Sequence, residues 1–489
     1  MQDPPNVVLL VFDTLRADAV SRGEDSFGVD TPAMDRVRSR GTAFENAFAV
    51  GPWTPPSHGA LFSGQYPNET GFEGAWPTMP ERVPLLAEWF SDAGYHTYGI
   101  PGPAKMGSAT GLHRGFDDYY EVYEEVAERP SVPYLWQLLT EPLIRRDFRR
   151  LATSGNDYYT EIKFEKLRSW LGAHEDGQPF FAMANVTTVH APYDPPRPYK
   201  REATPELTRP RLGLLEELGD SGSTFADPDV DDDRLFDAAA GGNSMDLALR
   251  YNDDPTCVPE RELEILRKWY AASLEYLDDR LDAFLDWFEA AGLDENTILV
   301  VTSDHGEFFG EHDLLYHGNF LYDELTHVPL LFAGPGVPTG GTRNDLASHV
   351  DVFATLCDLC GIDLPNTAGQ SLFGDVERDA VFAAEACSNL QDETAAGQVD
   401  SETLRSFEVG RKSVRTSTHR FERRSDGTEL LYELPDEDVV SDPDESIVDD
   451  LRERLTETLG AEFADSAAAM DADYSDGVER NLRELGYLE

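Results

Sequence analysis

Long apolar runs are missing from this 489-residue sequence. A membrane-spanning helix needs about 20 consecutive apolar residues, and runs such as NVVLLVF at 6–12 have only the length of a strand. The N-terminal segment MQDPPNVVLL contains no basic region, so we expect no signal peptide. The sequence therefore predicts a cytoplasmic protein without a membrane contact.

Basic residues are scarce, and lysine occurs at six positions, which are Lys105, Lys163, Lys166, Lys200, Lys268 and Lys412. Against 40 basic residues stand 93 acidic ones, which gives a net charge of −53. This charge argues against nucleic acid as a partner. The acidic residues are spread among apolar positions along the whole chain, so a disordered acidic tail does not explain them. We interpret them as an adaptation to a salt-filled, halophilic cytoplasm, since molar salt shortens the Debye length to about 3 Å.

Cysteine is also rare, with four in the chain. Cys357 and Cys360 form a CxxC motif, but the surrounding segment DVFATLCDLCGI has the composition of a buried helix. A redox pair is typical of an exposed helix start, and a zinc site needs a second pair of ligands. We predict two small buried side chains.

What the sequence does contain is an alternation of apolar strands and amphipathic helices. The strand-like runs lie at 6–12, 95–101, 180–187, 296–303 and 328–334. Helical patterns lie between them, for example at 83–94 and at 259–291. This order predicts an α/β protein with a large, mostly parallel sheet covered by helices on both faces.

Two regions interrupt the alternation and one region ends it. We predict that residues 120–165 and 200–255 are helical or loop insertions over the mouth of the sheet. Beyond about residue 375, short strand patterns separated by turn residues indicate a small antiparallel α+β subdomain. The predicted domains are therefore 1–375 and 376–489.

Polar residues follow three of the predicted strands directly. Asp13 follows the first strand, Asp304 and His305 follow the strand at 296–303, and His190 follows the strand at 180–187. Because ligands of open parallel sheets bind at the carboxyl ends of the strands, these side chains are expected to meet. Asp13, Asp304 and His305 supply two carboxylates and one imidazole, a set that suits one divalent ion of calcium, magnesium, manganese or zinc.

The segment GPWTPPSHGALFSG at 51–64 predicts a helix with Thr54 as its N-cap and Pro55 in its first turn. The start of a helix favours a bound anion, because its free N–H groups carry partial positive charge. An alcohol placed there against a metal could attack a phosphorus or sulfur atom. His58 lies one turn further and could face the same anion.

Several of these segments together resemble the sulfatase family of the alkaline phosphatase superfamily. They are DTLRAD at 13–18, TPPSHGALFSG at 54–64, VHAPYDPP at 189–196, the block with SDHGE and GEH at 303–312, and YDELTHVPLLF at 322–332. The resemblance implies an alkaline-phosphatase-like three-layer sandwich. It also implies a hydrolase that acts on a small-molecule or glycan ester.

The resemblance implies roles for individual residues. Asp13, Thr54, Asp304 and His305 would contact a single metal, and Thr54 stands at the position of the nucleophile. His190 matches the histidine that protonates the leaving group. The positions of two lysines that hold the ester oxygens in the family fall on His317 and, with poorly matching flanks, on Lys105.

Two residues depart from the family pattern. The family nucleophile is a cysteine or serine that becomes formylglycine, and the fifth residue of its motif is arginine; here these positions hold Thr54 and His58. Threonine cannot become formylglycine, so a covalent intermediate on Thr54 would need water or another alcohol to release it. Threonine is the nucleophile in phosphonate- and phosphodiester-cleaving relatives and in phosphoglycerol and phosphoethanolamine transferases, so both a hydrolase and a transferase remain open. A third reading is a non-catalytic protein that binds a metal or an anion. The sequence does not indicate an oligomeric state.

Overall fold

The structure is a computed structural model, and it describes residues 4–20, 27–74, 77–124, 159–175, 177–205, 244–363, 367–375, 377–387, 399–464 and 477–478. Residues 125–158 and 206–243, which make up most of the two predicted insertions, lie outside the described residues. Among the helices described, none is both long enough and apolar enough to cross a membrane.

A large sheet forms the centre of the fold. Its strands are β1 (Asn6–Phe12), β2 (Gly41–Phe48), β3 (His96–Ile100), β4 (Asp118–Tyr119), β5 (Phe180–Val186), β6 (Thr297–Thr302), β9 (Leu330–Ala333) and β10 (Gly341–Ser348), in the order β10-β2-β9-β6-β1-β5-β3-β4. Seven of these eight described strands run in one direction, and β9 runs antiparallel to β2 and β6. A two-stranded ribbon, β7 (Phe308–Phe309) and β8 (Leu315–Tyr316), follows β6.

Helices cover the sheet and connect its strands. The described α-helices are α1 (Ala17–Val20), α2 (Pro32–Arg40), α3 (Thr54–Ser63), α4 (Pro67–Thr70), α5 (Leu86–Asp92), α6 (Thr160–Ala173), α7 (Arg197–Ala203), α8 (Ser244–Asp253), α9 (Glu260–Ala290), α10 (Asp323–Thr326), α11 (His349–Leu359), α12 (Ser401–Glu408) and α13 (Glu445–Leu459). Alternate residues of β1 belong to two separate cores. Leu10 packs in the core that contains Leu274 of α9, and Leu9 packs in the core that contains Phe353 of α11. Helices therefore cover both faces of the sheet, as the predicted three-layer sandwich requires.

A second sheet is formed by the C-terminal part of the chain. Its strands are β11 (Val381–Glu385), β12 (Arg411–Arg415), β13 (His419–Arg424), β14 (Glu429–Glu433) and β15 (Asp438–Val439), in sequential antiparallel order. This small sheet confirms the predicted antiparallel α+β part. The boundary between residues 375 and 376 stays a prediction.

Most predicted elements are confirmed to within one or two residues, and three details differ. The helix that begins at Thr54 has Trp53 at its N-cap position, so the prediction of Thr54 as the cap is wrong; Thr54 is the first helical residue, and no side chain caps the helix. Strands β2 and β10 were not predicted, because their polar residues hide the apolar pattern. The CxxC segment is helical as far as Leu359, and both of its cysteines are free. Cys357 is buried, but Cys360 at the C-cap is partly exposed, so the prediction of two buried side chains is correct only for Cys357.

Candidate active site

The strand order places three of the predicted site segments at one edge of the large sheet. Strand β1 lies between β6 and β5, with Val11 in register with Thr302 on one side and Asn185 on the other. The residues that follow these three strands therefore lie side by side at the carboxyl ends of the strands. The amide of Asp13 donates to the carbonyl of Val186 across 3.0 Å, which fixes the loop after β1 against the loop after β5.

Asp13, Asp304 and His305 come together at this edge and are fully buried. The Nε2 atom of His305 lies 3.7 Å from Oδ1 of Asp13 and 3.5 Å from Oδ2 of Asp304. One potential ligand atom from each residue lies within 4.8 Å of the others. These separations leave room for a small cation among the three groups.

The carboxylates of this cluster lack the partners that buried charges need. Both carboxylate oxygens of Asp13 and Oδ2 of Asp304 have no hydrogen-bond donor in the described part of the chain. Burial, reinforced by Asp304, raises the pKa of Asp13 well above its ordinary value, and burial also raises the pKa of Asp304. Buried acids are normally paired or bound to a metal. The donor set thus fits a divalent cation, which would supply the missing positive charge.

His305 is oriented as a metal-binding imidazole. Its Nδ1–H donates to the carbonyl of Gly306 across 2.9 Å, so Nε2 carries the lone pair that faces the carboxylates. Burial lowers the pKa of His305 well below its ordinary value, which keeps the ring neutral. Asp304 is oriented too, because its Oδ1 accepts from the amides of Thr14 at 3.2 Å and His305 at 3.0 Å.

Thr54 lies beside this cluster at the start of α3. Its Oγ1 atom is 3.5 Å from Nε2 of His305, and the residue is fully buried. Because Thr54 occupies the first helical position, its hydroxyl lies next to amide groups that have no partner within the helix. The structure therefore brings an alcohol, two carboxylates and an imidazole together around one small volume.

His58 is also at the site, but it does not present a charge there. Its Nδ1–H donates to the carbonyl of Thr54 across 3.0 Å, and its Nε2 accepts from Nδ2 of Asn185 across 3.1 Å. Burial lowers the pKa of His58 to about 3. With both ring nitrogens in hydrogen bonds, His58 ties the first turn of α3 to strand β5 as a neutral ring.

His190 and His317 complete a group of three neighbouring imidazoles. The ring centroid of His317 is 4.6 Å from that of His305 and 4.9 Å from that of His190. His317 Nδ1 lies 2.7 Å from Oε1 of the buried Glu307. Burial, followed by the charge of His317, lowers the pKa of His190 to about 3. His190 and His317, two of the three histidines predicted to be catalytic, therefore form one group with His305.

A second group of possible ligands, His312, Glu324 and Glu437, also lies within 4.8 Å. Both carboxylate oxygens of Glu437 are already used, one by Nε of Arg420 at 2.5 Å and one by the amide of Asp323 at 3.0 Å. An arginine is therefore bonded directly to this group, whereas the carboxylate of Asp13 accepts no hydrogen bond from a cation in the described residues. We interpret it as an ion-pair network.

The sequence interpretation missed four residues around the predicted ones. Asn185 bonds His58 and Glu307 bonds His317. Trp53 contacts Lys105 through its ring and donates a hydrogen bond to Glu385. Glu307 could have been noticed, because it lies in the same SDHGE block as His305. Asn185 and Glu385 carry no local signal, since each looks like an ordinary residue near the end of a strand.

Comparison with known proteins gives a consistent family and fold. The family model described as Sulfatase matches residues 5–362. The delta 4,5-hexuronate-2-O-sulfatase of Bacteroides thetaiotaomicron is 27% identical over 392 residues, which are 76% of this chain and 71% of that protein. Arylsulfatase K of Rattus norvegicus is 26% identical over 373 residues, or 75% of this chain; these span 62% of the rat protein, less than two thirds of its length. The crystal structure of the phosphonate monoester hydrolase of Agrobacterium radiobacter superposes with a TM-score of 0.68 at 22% identity, covering 93% of this chain and 95% of that chain.

Proposed function

Since the chain belongs to the sulfatase family, we propose that it hydrolyses a sulfate- or phosphate-type ester with Thr54 as the nucleophile. The observation that carries this proposal is the position of Oγ1 of Thr54, 3.5 Å from Nε2 of His305 and beside two buried carboxylates, three of whose oxygens have no donor in the described residues. The packing of the first turn of α3 does not require a cluster of buried acidic side chains beside it. Nucleophilic attack on an anionic ester does need an alcohol next to concentrated positive charge.

Asp13, Asp304 and His305, together with Thr54, would hold a single divalent ion. A divalent ion bound by these residues supplies Lewis acidity, which makes the alcohol more acidic and offsets the charge of the ester oxygens. Carboxylate and imidazole ligands are compatible with calcium, magnesium, manganese or zinc. The orphaned oxygens of Asp13 and Asp304 are the support for this assignment.

The protein residues then divide the reaction into two displacements. Oγ1 of Thr54, after releasing its proton to solvent, forms a bond to the sulfur or phosphorus atom while the bond to the leaving-group oxygen breaks. His190 gives a proton to that oxygen. Because burial keeps His190 neutral without a ligand, it gains this proton when the anionic ester binds. Water then attacks the same atom and releases Thr54, which takes back a proton.

The charge of the site favours a singly charged ester. Two carboxylates would balance one divalent ion, and His58 adds no charge because its pKa is lowered to about 3. The charges of Lys163 and Glu307, which both act on Asp13, oppose each other. His317 and Lys105, which match positions that hold ester oxygens in the family, are further groups for binding the anion. We therefore propose sulfate esters, phosphodiesters and phosphonate monoesters, on a small alcohol or a glycan, rather than doubly charged phosphate monoesters. The names of the relatives, which include a hexuronate sulfatase and a phosphonate monoester hydrolase, cover the first and the last of these classes.

The test is an ester panel with a matched pair of variants. Aryl sulfate, phosphodiester, phosphonate monoester and phosphate monoester with the same leaving group are assayed at high salt with manganese or calcium. We expect turnover of at least one singly charged ester, a loss of at least about a thousandfold in Thr54→Ala, and partial activity in Thr54→Ser, which keeps the hydroxyl. Both variants should still bind metal, because the three other ligands remain.

Two outcomes would contradict the proposal. Unchanged turnover in Thr54→Ala would remove the nucleophile, and silence of the wild type on every ester would favour a binding protein. Adding acceptor alcohols to the same assay separates hydrolysis from transfer. Full product release without an acceptor supports hydrolysis, whereas strict dependence on the acceptor would show a transferase.

A further inference from the structure

Three residues from distant parts of the chain meet next to Thr54. Trp53 immediately precedes α3, Lys105 lies in the short 3₁₀ turn Ala104–Met106 after β3, and Glu385 ends β11 of the small sheet. The Nζ atom of Lys105 lies over the indole ring of Trp53, 4.6 Å from its centroid. The indole Nε1–H donates to Oε2 of Glu385 across 2.9 Å. A continuous chain of contacts thus links the small sheet to the site.

The small sheet holds Glu385 in a fixed place. Glu385 is in register with Arg411 on the neighbouring strand β12. The preceding residue, Ala384, donates its amide to the carbonyl of Val50 across 2.8 Å. Strand β11 is therefore attached to the segment that leads into Trp53 and Thr54. A side chain anchored in this way can set the orientation of the indole ring.

The side chain of Lys105 is removed from water, and the indole ring of Trp53 is one of its contacts. The exposed fraction of Lys105 is 6%, and a buried ammonium group on a flexible stem loses hydration. The face of an indole ring is the aromatic surface that attracts a cation most strongly. Burial is the main cause of the lowered pKa of His190, and the charge of Lys105 contributes to it, so the ammonium lies within electrostatic reach of the site.

We infer that Trp53 and Glu385 are positioning residues, which hold the Lys105 ammonium where it binds an oxygen of the anionic ester. The inference rests on the proposed function of the same site. The small C-terminal sheet thereby contributes to anion binding, through the hydrogen bond between Glu385 and Trp53 and through the indole ring that contacts Lys105.

Glu385 performs this role as a hydrogen-bond acceptor. Burial raises the pKa of Glu385 to about 8, which keeps the side chain largely protonated near neutral pH. A protonated carboxyl group still has a carbonyl oxygen that accepts from the indole. Glutamine offers the same acceptor with the same shape, and leucine offers none. The two substitutions therefore separate the hydrogen bond from the volume of the side chain.

The test is a double-mutant cycle between Glu385→Leu and Lys105→Met. The manganese-loaded protein is titrated with inorganic sulfate by calorimetry, and kcat and KM are measured for the best ester. We expect Glu385→Leu to weaken sulfate binding and to raise KM by about tenfold, with a smaller change in kcat. Glu385→Gln should restore most of the loss, to within about threefold of the wild type. In the Lys105→Met background, Glu385→Leu should add less than about twofold.

An equal loss from Glu385→Leu with and without Lys105 would overturn the inference, because the two residues would then act independently. Manganese binding and the melting temperature of each variant are measured to separate positioning from unfolding. Glu433→Leu, at an exposed position of the same sheet, is the control. If Glu385→Leu does not fold, Trp53→Phe replaces it in the cycle. Phenylalanine keeps an aromatic face but removes the Nε1–H donor. The loss of sulfate binding is again compared with and without Lys105.

The experiment also separates this inference from the proposed function. If the wild type hydrolyses no ester but the sulfate titrations show the expected coupling, the proposed function fails and the inference stands. If ester hydrolysis depends on Thr54 but the cycle is additive, the proposed function stands and the inference fails.

Discussion

Two buried clusters of charged residues differ in whether their carboxylate oxygens have hydrogen-bond donors within the protein. In the small sheet, Arg420, Glu422, Arg424 and Glu437 form a network of ion pairs. All four carboxylate oxygens in this sheet network accept a hydrogen bond, three of them from arginine and one from the amide of Asp323. In the strand-edge cluster, which is Asp13, Asp304 and His305, two acids face a neutral imidazole, and three of their oxygens have no donor in the described residues.

The difference teaches how to distinguish a structural charge cluster from a functional one. Burial alone would raise the pKa of Glu422, but Arg420, Arg424 and Arg411 outweigh it and lower that pKa. In the strand-edge cluster, burial and the charge of Asp304 raise the pKa of Asp13 and outweigh the opposing charge of Lys163, and burial also raises the pKa of Asp304. The carboxylates of the sheet network have their partners within the protein, whereas we propose that a bound cation completes the strand-edge cluster.

The sheet network gives the largest expected change in stability. Glu422→Gln removes one charge from a buried, paired group, so that Arg424 loses its carboxylate partner and Arg420 keeps only Glu437. We expect the free energy of unfolding to fall by about 3 kcal/mol or more near neutral pH. Denaturant titration measures this change, with the exposed Glu433→Gln as control. A loss below about 1 kcal/mol would show that the network is not a buried unit.

The same variant has an expected pH dependence. The pKa of Glu422 is lower in the folded protein than in the unfolded chain, so the wild type gains stability from its ionised form above the ordinary glutamate pKa. This gain disappears as the pH falls through the lowered value. The difference between Glu422→Gln and the wild type should therefore shrink at about pH 4 and below. A difference that grows on acidification would contradict the assignment.

Metal removal gives the next largest change and affects only the strand-edge cluster. A ligand present at 100 times its dissociation constant stabilises the folded state by about 2.7 kcal/mol. We expect a chelator to lower the free energy of unfolding by about this amount and to leave the effect of Glu422→Gln unchanged. Thermal unfolding with and without manganese measures it. Equal melting temperatures in both conditions would indicate that no metal binds.

Neutralising an acid in the strand-edge cluster should have the opposite sign to neutralising one in the sheet network. In metal-free protein, Asp304→Asn removes a charge from a pair of buried acids, and the remaining carbonyl oxygen still accepts from Thr14 and His305. We expect a stabilisation of about 1 kcal/mol, together with loss of the stabilising effect of manganese. A destabilised metal-free variant would indicate that the cluster is already balanced without a ligand.

The smallest expected effect comes from an exposed ion pair. Arg452 bonds Glu429 across 2.8 Å on the surface of the small sheet, where both side chains are partly exposed. Solvent and salt screen such pairs, so we expect Arg452→Ala to cost less than about 1 kcal/mol, and less still at high salt. A larger loss would mean that ion-pair exposure does not explain the contrast between the clusters.

Much of the fold and the centre of the site could be predicted from local patterns. The residues that follow β1, β5 and β6 were identifiable because apolar strands end at polar side chains and because parallel strands share one edge. The resemblance of the SDHGE block and of the segment at Thr54 to the sulfatase family added the predicted roles of these residues. The small sheet was indicated by turn residues between short strands.

The remaining parts depend on contacts that no local pattern contains. Trp53 and Glu385 are 332 positions apart, and His58 and Asn185 are 127 positions apart. The direction of β9 follows from pairing with β2 and β6, not from its own four apolar residues. The sequence also could not show that His58 is neutral, because this results from burial and from two hydrogen bonds.

The most direct measurement of the central claim is a calorimetric titration of stripped protein with manganese at high salt. We expect one ion per chain in the wild type and in Thr54→Ala, and a loss of affinity of at least about a hundredfold in Asp304→Asn. Binding of no ion by the wild type, or binding that Asp304→Asn leaves unchanged, would contradict the claim that the strand-edge cluster is a metal site.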